Sequence, residues 1–200
     1  ITKLNNDLVI NVVQNASADS LYVNKGGVWT NILVTLGQKN FSVQGKQEEI
    51  IVNQFDTILI IDSNLNVNNI LESYSTFWKP KANKVIFDNG YYYIGDKENA
   101  VVRMSSNYNS SFHTPRELYS NNVLDIEVED GHLWGSSGVL TGSGWNKTYN
   151  NDGVFHYNIR DNKWEIYNIA NQGTQFCFSG NCMNDFVGVA VNPKSPSRAM

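Results

Sequence analysis

The strongest constraint on this 200-residue chain is that one multi-stranded pattern recurs along it. Each copy has a β-rich stretch, a turn, a short apolar-aromatic strand, a polar turn and a further β stretch. The first copy occupies 9–13, 20–23 and 28–32; the second 50–52, 57–60 and 67–70. The third runs through 84–87, the turn Asp88-Asn89-Gly90, 91–94 and 100–104. The fourth runs through 126–128, the turn Glu129-Asp130-Gly131, 132–135, 154–157 and 163–167. With Leu21, Ile58, Tyr92 and Leu133 taken as equivalent, the copies are 37, 34 and 41 residues apart. A near-regular period of this size, with several strands per period, predicts blades of four-stranded sheet stacked around an axis. The expected fold is therefore all-β, a partial β-propeller of antiparallel blades, about four complete and one cut short.

The expected units are 8–45, 46–80, 81–118, 119–183 and an incomplete 184–200. The fourth carries an insertion, 141–152, rich in Gly, Asn and Ser; such insertions map to loops on one face, often the binding face. Phe186-Val187-Gly188-Val189-Ala190-Val191 reads as the opening strand of the fifth. An unfinished blade exposes unpaired backbone edges, so the chain is expected to be a slice of a longer protein, with the rest of the parent propeller as its first partner. No window sustains the helical apolar period, whereas Asp-Asn-Gly and Glu-Asp-Gly between β-rich runs are hairpin signals. A β-sandwich also shows short strands at even spacing; recurrence of a whole unit favours the propeller.

Asn makes up about one residue in seven, which suits many tight turns because Asn tolerates left-handed backbone. The 41% hydrophobic share is ample for a core. A net charge of −4 argues against nucleic acid, which calls for a basic face. The one basic cluster, Lys79-Pro80-Lys81-Ala82-Asn83-Lys84, reads as a solvated linker. No apolar stretch approaches the ~20 residues of a membrane helix. Cys177 and Cys182 flank a short loop with a Gly180-Asn181 turn step. A zinc site would need two further ligands, so a disulfide is the preferred reading, with free thiols the alternative. A disulfide would require an oxidising compartment.

The residues able to carry chemistry each have a structural reading. Asp62-Ser63-Asn64-Leu65-Asn66-Val67-Asn68 has calcium-loop spacing, but Val67 and Ser73 stand where the motif needs Gly and an acid; a blade hairpin is expected. Asn150-Asn151-Asp152-Gly153 and Asp161-Asn162-Lys163 are read as turns. Gly135-Ser136-Ser137-Gly138 lacks the spacing of a nucleophile elbow. His132 and His156 fall inside strands, and Glu127 and Glu129 alternate on one strand face beside Asp125. Tyr91-Tyr92-Tyr93 is the densest aromatic run. Tyr92 should pack between blades, while Tyr91 and Tyr93 face the other way. Tyr91, Tyr93 and Trp145 are the candidate ligand-stacking residues, core or rim packing being the alternative. No catalytic residue, metal or cofactor is expected.

Ser120-Asn121-Asn122-Val123-Leu124-Asp125-Ile126, then Asp130-Gly131-His132-Leu133-Trp134-Gly135, resembles the repeat of two-component-regulator propellers. The longer stretch from Pro115 through Gly153-Val154-Phe155 and Trp164 to Asp185–Pro193 resembles the N-terminal propeller of the PorZ-like proteins of the Bacteroidetes type IX secretion system. That resemblance implies a non-catalytic binding or scaffold module, outside the cytoplasm at the cell surface, outer membrane or periplasm. It implies secretion-complex proteins or surface lipopolysaccharide as partners. The family carries a sorting-type domain that the sequence here does not contain. Asp19-Ser20-Leu21 and Asp56-Thr57-Ile58 match a short Bacteroidetes O-glycosylation signal, and equally a turn entering a strand. Two alternatives stay open: a periplasmic sensor propeller of a hybrid two-component regulator, and a propeller-fold polysaccharide-active enzyme.

Overall fold

The computed structural model describes the chain apart from residues 1, 5–6, 15–17, 37–41, 47, 55, 76–77, 114–120, 139, 142–145, 148–151, 173–176, 179–180, 183–185, 193 and 197–200. It is built from strands, four of them at a time. The first sheet contains β1 (Thr2–Leu4), β2 (Asp7–Gln14), β3 (Ala18–Lys25) and β4 (Val28–Leu36). The second contains β5 (Ser42–Lys46), β6 (Glu49–Asn53), β7 (Ile58–Ile61) and β8 (Val67–Leu71). The third contains β9 (Ala82–Asp88), β10 (Tyr91–Asp96), β11 (Ala100–Ser105) and β12 (Ser110–His113). Each is a meander, its strands lying side by side in chain order.

The fourth sheet is interrupted. Its strands are β13 (Asp125–Glu129), β14 (His132–Ser136), β17 (Val154–Asn158) and β18 (Lys163–Tyr167). Between the second and third of these, the chain makes a separate two-stranded excursion, β15 (Leu140–Thr141) with β16 (Asn146–Lys147). This falls in the Gly/Asn/Ser-rich stretch read above as an insertion. One helical turn, α1 (Ile169–Gln172), follows, then β19 (Cys177–Phe178) paired with β20 (Asn181–Cys182). Two compact units result, Ile1–Phe87 and Asp88–Met200.

The hairpins follow from their turn residues. Gly26-Gly27, Asn89-Gly90 and Asp130-Gly131 all have φ between +46° and +89° at both central positions. That is the backbone of a two-residue turn whose twist matches the flanking strands. The β7–β8 turn is closed differently. Asp62 Oδ1 accepts from the Asn64 and Asn66 amides, each at 2.9 Å. The carboxylate of the expected calcium-like loop is thus folded back onto its own backbone, as an Asx turn.

The expected units start one strand late in the first half of the chain. β1 and β5 were not foreseen as strands; they sit at sheet edges and carry few apolar residues. In consequence Leu21 and Ile58 lie on third strands of their sheets, while Tyr92 and Leu133 lie on second strands. The second-strand positions Ile10, Ile51, Tyr92 and Leu133 recur every 41 residues.

Packing in the first unit is apolar. Val9, Leu21, Val23, Ile50, Val52, Leu59 and Ile61 form one buried cluster between the first and second sheets. β7 is buried along its full length, so both of its faces are covered. Its neighbour β6 also receives polar fastening, for Asn53 Nδ2 donates to the Ala82 carbonyl at 2.8 Å. In the second unit, Val123 and Ile126 close on Gly95 so tightly that a Cβ there would lie 3.0 Å from Val123 Cγ1.

The segment expected to open a fifth blade forms no ladder of its own. Residues 186–190 are not strand. Their polar groups go to the fourth sheet instead: the Gly138 amide donates to the Phe186 carbonyl at 2.9 Å, and the Val189 amide to Asp125 Oδ2 at 3.0 Å. Farther on, Trp134 Nε1 donates to the Pro196 carbonyl at 3.0 Å. A strand needs a neighbour for its ladder, and here single backbone and side-chain groups of the preceding repeat take that role.

Candidate functional site

Two clusters in the second unit gather the polar and aromatic residues of interest. The first lies on one face of the fourth sheet. Because side chains alternate along a strand, His132 and Trp134 of β14, His156 of β17 and Lys163, Glu165 and Tyr167 of β18 share a face. Register sets Trp134 opposite His156, and His156 opposite Glu165. His132 Nδ1 and His156 Nε2 are hydrogen-bonded at 2.8 Å, and His156 Nδ1 meets Glu165 Oε2 at 3.3 Å. Glu165 also accepts from Tyr167 Oη and Lys163 Nζ, each at 2.8 Å. Trp134 stacks on His156 with centroids 4.5 Å apart, and on Tyr167 at 5.7 Å.

The electrostatics follow from these contacts. Hydrogen bonds from Lys163, Tyr167 and His156 hold the Glu165 carboxyl down at about 2. Burial, then the bond to Glu165, pushes the Tyr167 phenol up to about 12. Burial lowers the His156 pKa, outweighing the bond to Glu165. His132 and His156, placed inside strands by their sequence, thus belong to a network in which each ring has a partner. The opposite face of the same sheet is aromatic and apolar, with Phe155 wholly buried and Tyr157 stacked on Trp164 at 4.2 Å.

The second cluster is on the third sheet. Tyr93 of β10, Arg103 of β11 and Ser111 of β12 lie directly across from one another. The Arg103 guanidinium carbon sits 3.7 Å over the Tyr91 ring. Tyr91 is half-buried, but Tyr93 is only 3% exposed. Tyr93 is therefore no free stacking platform: it points to the same side as Tyr91, as the alternation requires, but that side is covered at its position. Tyr92 is also buried and stacks on Tyr108 at 6.4 Å.

Other candidates fall out plainly. Trp145, Asn150, Asn151 and Gly180 lie outside the described residues. Asp152 is buried. Ser137, also buried, donates to the Gly153 carbonyl at 3.0 Å, so it is part of the strand crossing and not an exposed nucleophile. Glu127 and Glu129 lie across from Trp134 and His132. Asp19 and Ser20 are both buried, which closes the first O-glycosylation signal to an enzyme, whereas Asp56 is exposed. Cys177 is disulfide-bonded, and the backbone register sets Cys182 directly across from it. Among the described residues, no group of three or more His, Cys, Asp or Glu could hold a metal ion, and no helix is long and apolar enough to cross a membrane.

No family model and no curated protein matches the chain. Solved structures do. A chain of the mitotic checkpoint complex is similar over 96% of this chain and 57% of its own length, at 12% identity and a TM-score of 0.61. The computationally designed Ika8 protein is similar over 92% of this chain and 52% of its own, at 9% identity and a TM-score of 0.56. The propeller-like extracellular domain of a B. thetaiotaomicron protein described as a hybrid two-component system matches over 94% of this chain and 20% of its own, at 11% identity and a TM-score of 0.52. The fold is a partial β-propeller. The chain spans little more than half of the first two neighbours and a fifth of the third. Likeness at such identities speaks to architecture alone.

The Arg103 cluster is what sequence reading missed. An isolated Arg in Val-Val-Arg-Met-Ser carries no motif. Only the alternation of β11 against Tyr91 and Tyr93 could have pointed to it, and the register between those strands is not written in either one alone.

Proposed function

We propose that the chain is part of a non-catalytic binding or scaffold propeller outside the cytoplasm, PorZ-like, that recognises a bacterial surface glycan or a protein partner of a type IX secretion apparatus. The observation that carries the binding half of this reading is how the reactive side chains are used. In the most strongly marked repeat, His132, His156, Glu165 and Tyr167 are committed to one another across adjacent strands. Groups so committed make a rigid sheet, and rigid sheets holding loops are how scaffolds of this kind present a binding surface. The disulfide at Cys177 supports the extracytoplasmic half, since such bonds persist in oxidising compartments. The secretion half rests on the motif resemblance over the C-terminal half of the chain.

A periplasmic sensor propeller is the second reading. The Asp130-Gly131-His132-Leu133-Trp134 motif favours it, being the repeat type of two-component-regulator propellers. One experiment addresses both. The protein is titrated against a panel of bacterial surface polysaccharides, with hydrolysis products followed in parallel, and secretion is measured in a deletion strain. Saturable binding without turnover, and a secretion defect, are expected. Binding with normal secretion would favour the sensor, and turnover of any polysaccharide would overturn both.

A further inference from the structure

The second unit contains an arginine whose charge no acid among the described residues answers. Arg103 sits in the middle of β11, between Tyr93 and Ser111 on its neighbouring strands. Its Nε is buried and donates to nothing. Among the described residues, no Asp or Glu forms an ion pair with it. The nearby Asp88, whose charge is felt at Tyr93, accepts from Asn89 Nδ2 at 2.9 Å. The Tyr91 ring offers a π face at 3.7 Å, which attracts a cation but accepts none of its in-plane N–H bonds.

A cation held partly away from water, with a donor left unmade, is unfavourable unless something completes it. Its titratable neighbours on the adjacent strands are held neutral. Burial raises the Tyr93 phenol above its ordinary value and lowers the His113 pKa. Burial likewise raises Tyr157. Arg103 thus faces two neutral phenols and a neutral imidazole, with no counter-charge among them. His113 Nε2 is bonded to Ser111 Oγ at 3.0 Å. Ser111 is exposed and Tyr91 half-buried, so the cluster is open to solvent on that side, while buried Tyr93 closes the other.

We propose that Arg103 anchors a site for a single oxyanion, a carboxylate or phosphate group, on the surface of the β10–β12 sheet. The guanidinium is a planar fork matched to two oxygens of such a group. Stacking on Tyr91 holds the plane of that fork in place, and the Ser111 hydroxyl, which donates to the Arg103 carbonyl at 3.3 Å, ties the neighbouring strand to the same residue. This site is independent of the secretion reading, since it rests on the geometry around one side chain.

The test is NMR on the full chain, following the Arg103 Nε–H resonance, assigned with R103K. Inorganic phosphate and glucuronate are titrated separately, with sodium chloride at matched ionic strength as reference. A saturable shift with either oxyanion and not with chloride is expected. Phosphate alone would identify a phosphate group as the ligand, and glucuronate alone a carboxylate. R103K keeps the charge but loses the fork, and should weaken binding about tenfold. An Nε–H resonance that neither oxyanion moves, or that moves no differently in chloride, overturns the proposal. So does R103K binding as tightly as the parent protein.

Discussion

The second and fourth sheets are built on the same four-strand plan but protect themselves differently. In the second, the inner strands are nearly pure aliphatic: Ile50, Ile51 and Val52 on β6, and Ile58 to Ile61 on β7, are all buried. Alternation has no visible consequence there, since both faces are covered, and the strand reads as a continuous apolar run. In the fourth, alternation is sharp. One face is Leu133, Phe155, Tyr157 and Trp164; the other is His132, Trp134, His156 and Glu165. The first kind of sheet is stable through area removed from water. The second adds polar bonds that must all be made, since a half-satisfied network is worse than none. The fourth sheet should therefore be sensitive to chemistry and to pH in ways the second is not.

The largest expected effect tests whether the two sheets have equally tight cores. Phe155→Ala removes a wholly buried ring packed against Trp164 and over Gly135, and should cost about 3–5 kcal/mol. Ile51→Ala in the second sheet should cost about 2–5 kcal/mol, toward the lower end if its aliphatic neighbours collapse into the space. Urea unfolding measures both. A Phe155→Ala loss smaller than that of Ile51→Ala would reverse the comparison.

A smaller change probes the same face from beneath. Gly135 lies under the Phe155 ring, and an added methyl would run into it. Gly135→Ala should cost about 1–3 kcal/mol by overpacking. The double variant with Phe155→Leu should recover part of that loss, because the two positions face each other in register. Additive losses would mean that the ring is not what makes glycine necessary.

The contrast also explains how far the sequence could be read. Hairpins were legible because Asn89-Gly90 and Asp130-Gly131 can hardly be anything else between β-rich runs. The blade repeat was legible because its second and third strands are apolar. Its edge strands β1 and β5 were not, because an edge strand needs few buried side chains and so leaves little pattern. That gap displaced the unit boundaries in the first half by one strand. The fourth sheet's network was half legible: His132, His156 and the acids could be placed on strands. That His132 meets His156 depends on the β14–β17 register, set across the β15–β16 excursion, and no local pattern encodes it. Tyr93 was misjudged for a related reason. Alternation gives the side of the sheet, but what covers that side comes from elsewhere in the chain.

The smallest expected effect is a dependence on pH that belongs to the fourth sheet. The His156 pKa is lowered by burial, so its neutral form favours folding: that contribution is present above about 6.5 and is lost as pH falls through the lowered folded value. Glu165, held at about 2, contributes stability present above its ordinary value near 4.5 and lost as pH falls through about 2. Tyr167, raised to about 12, works at the other end, where stability is lost as pH rises from about 10 toward 12. The Glu165 side chain is 39% exposed, so solvent screening should hold its share below about 1 kcal/mol. Hydrogen-exchange protection, corrected for intrinsic rates, should therefore fall first in β14 and β17 on acidification from pH 7 to pH 4, with β6 and β7 following only at lower pH. Glu165→Gln should flatten the acid limb below about pH 4.5, and Tyr167→Phe the alkaline one. Equal loss of protection in β6 and β17 at every pH would show instead that the network adds nothing to its own sheet, and that the two constructions differ in composition but not in behaviour.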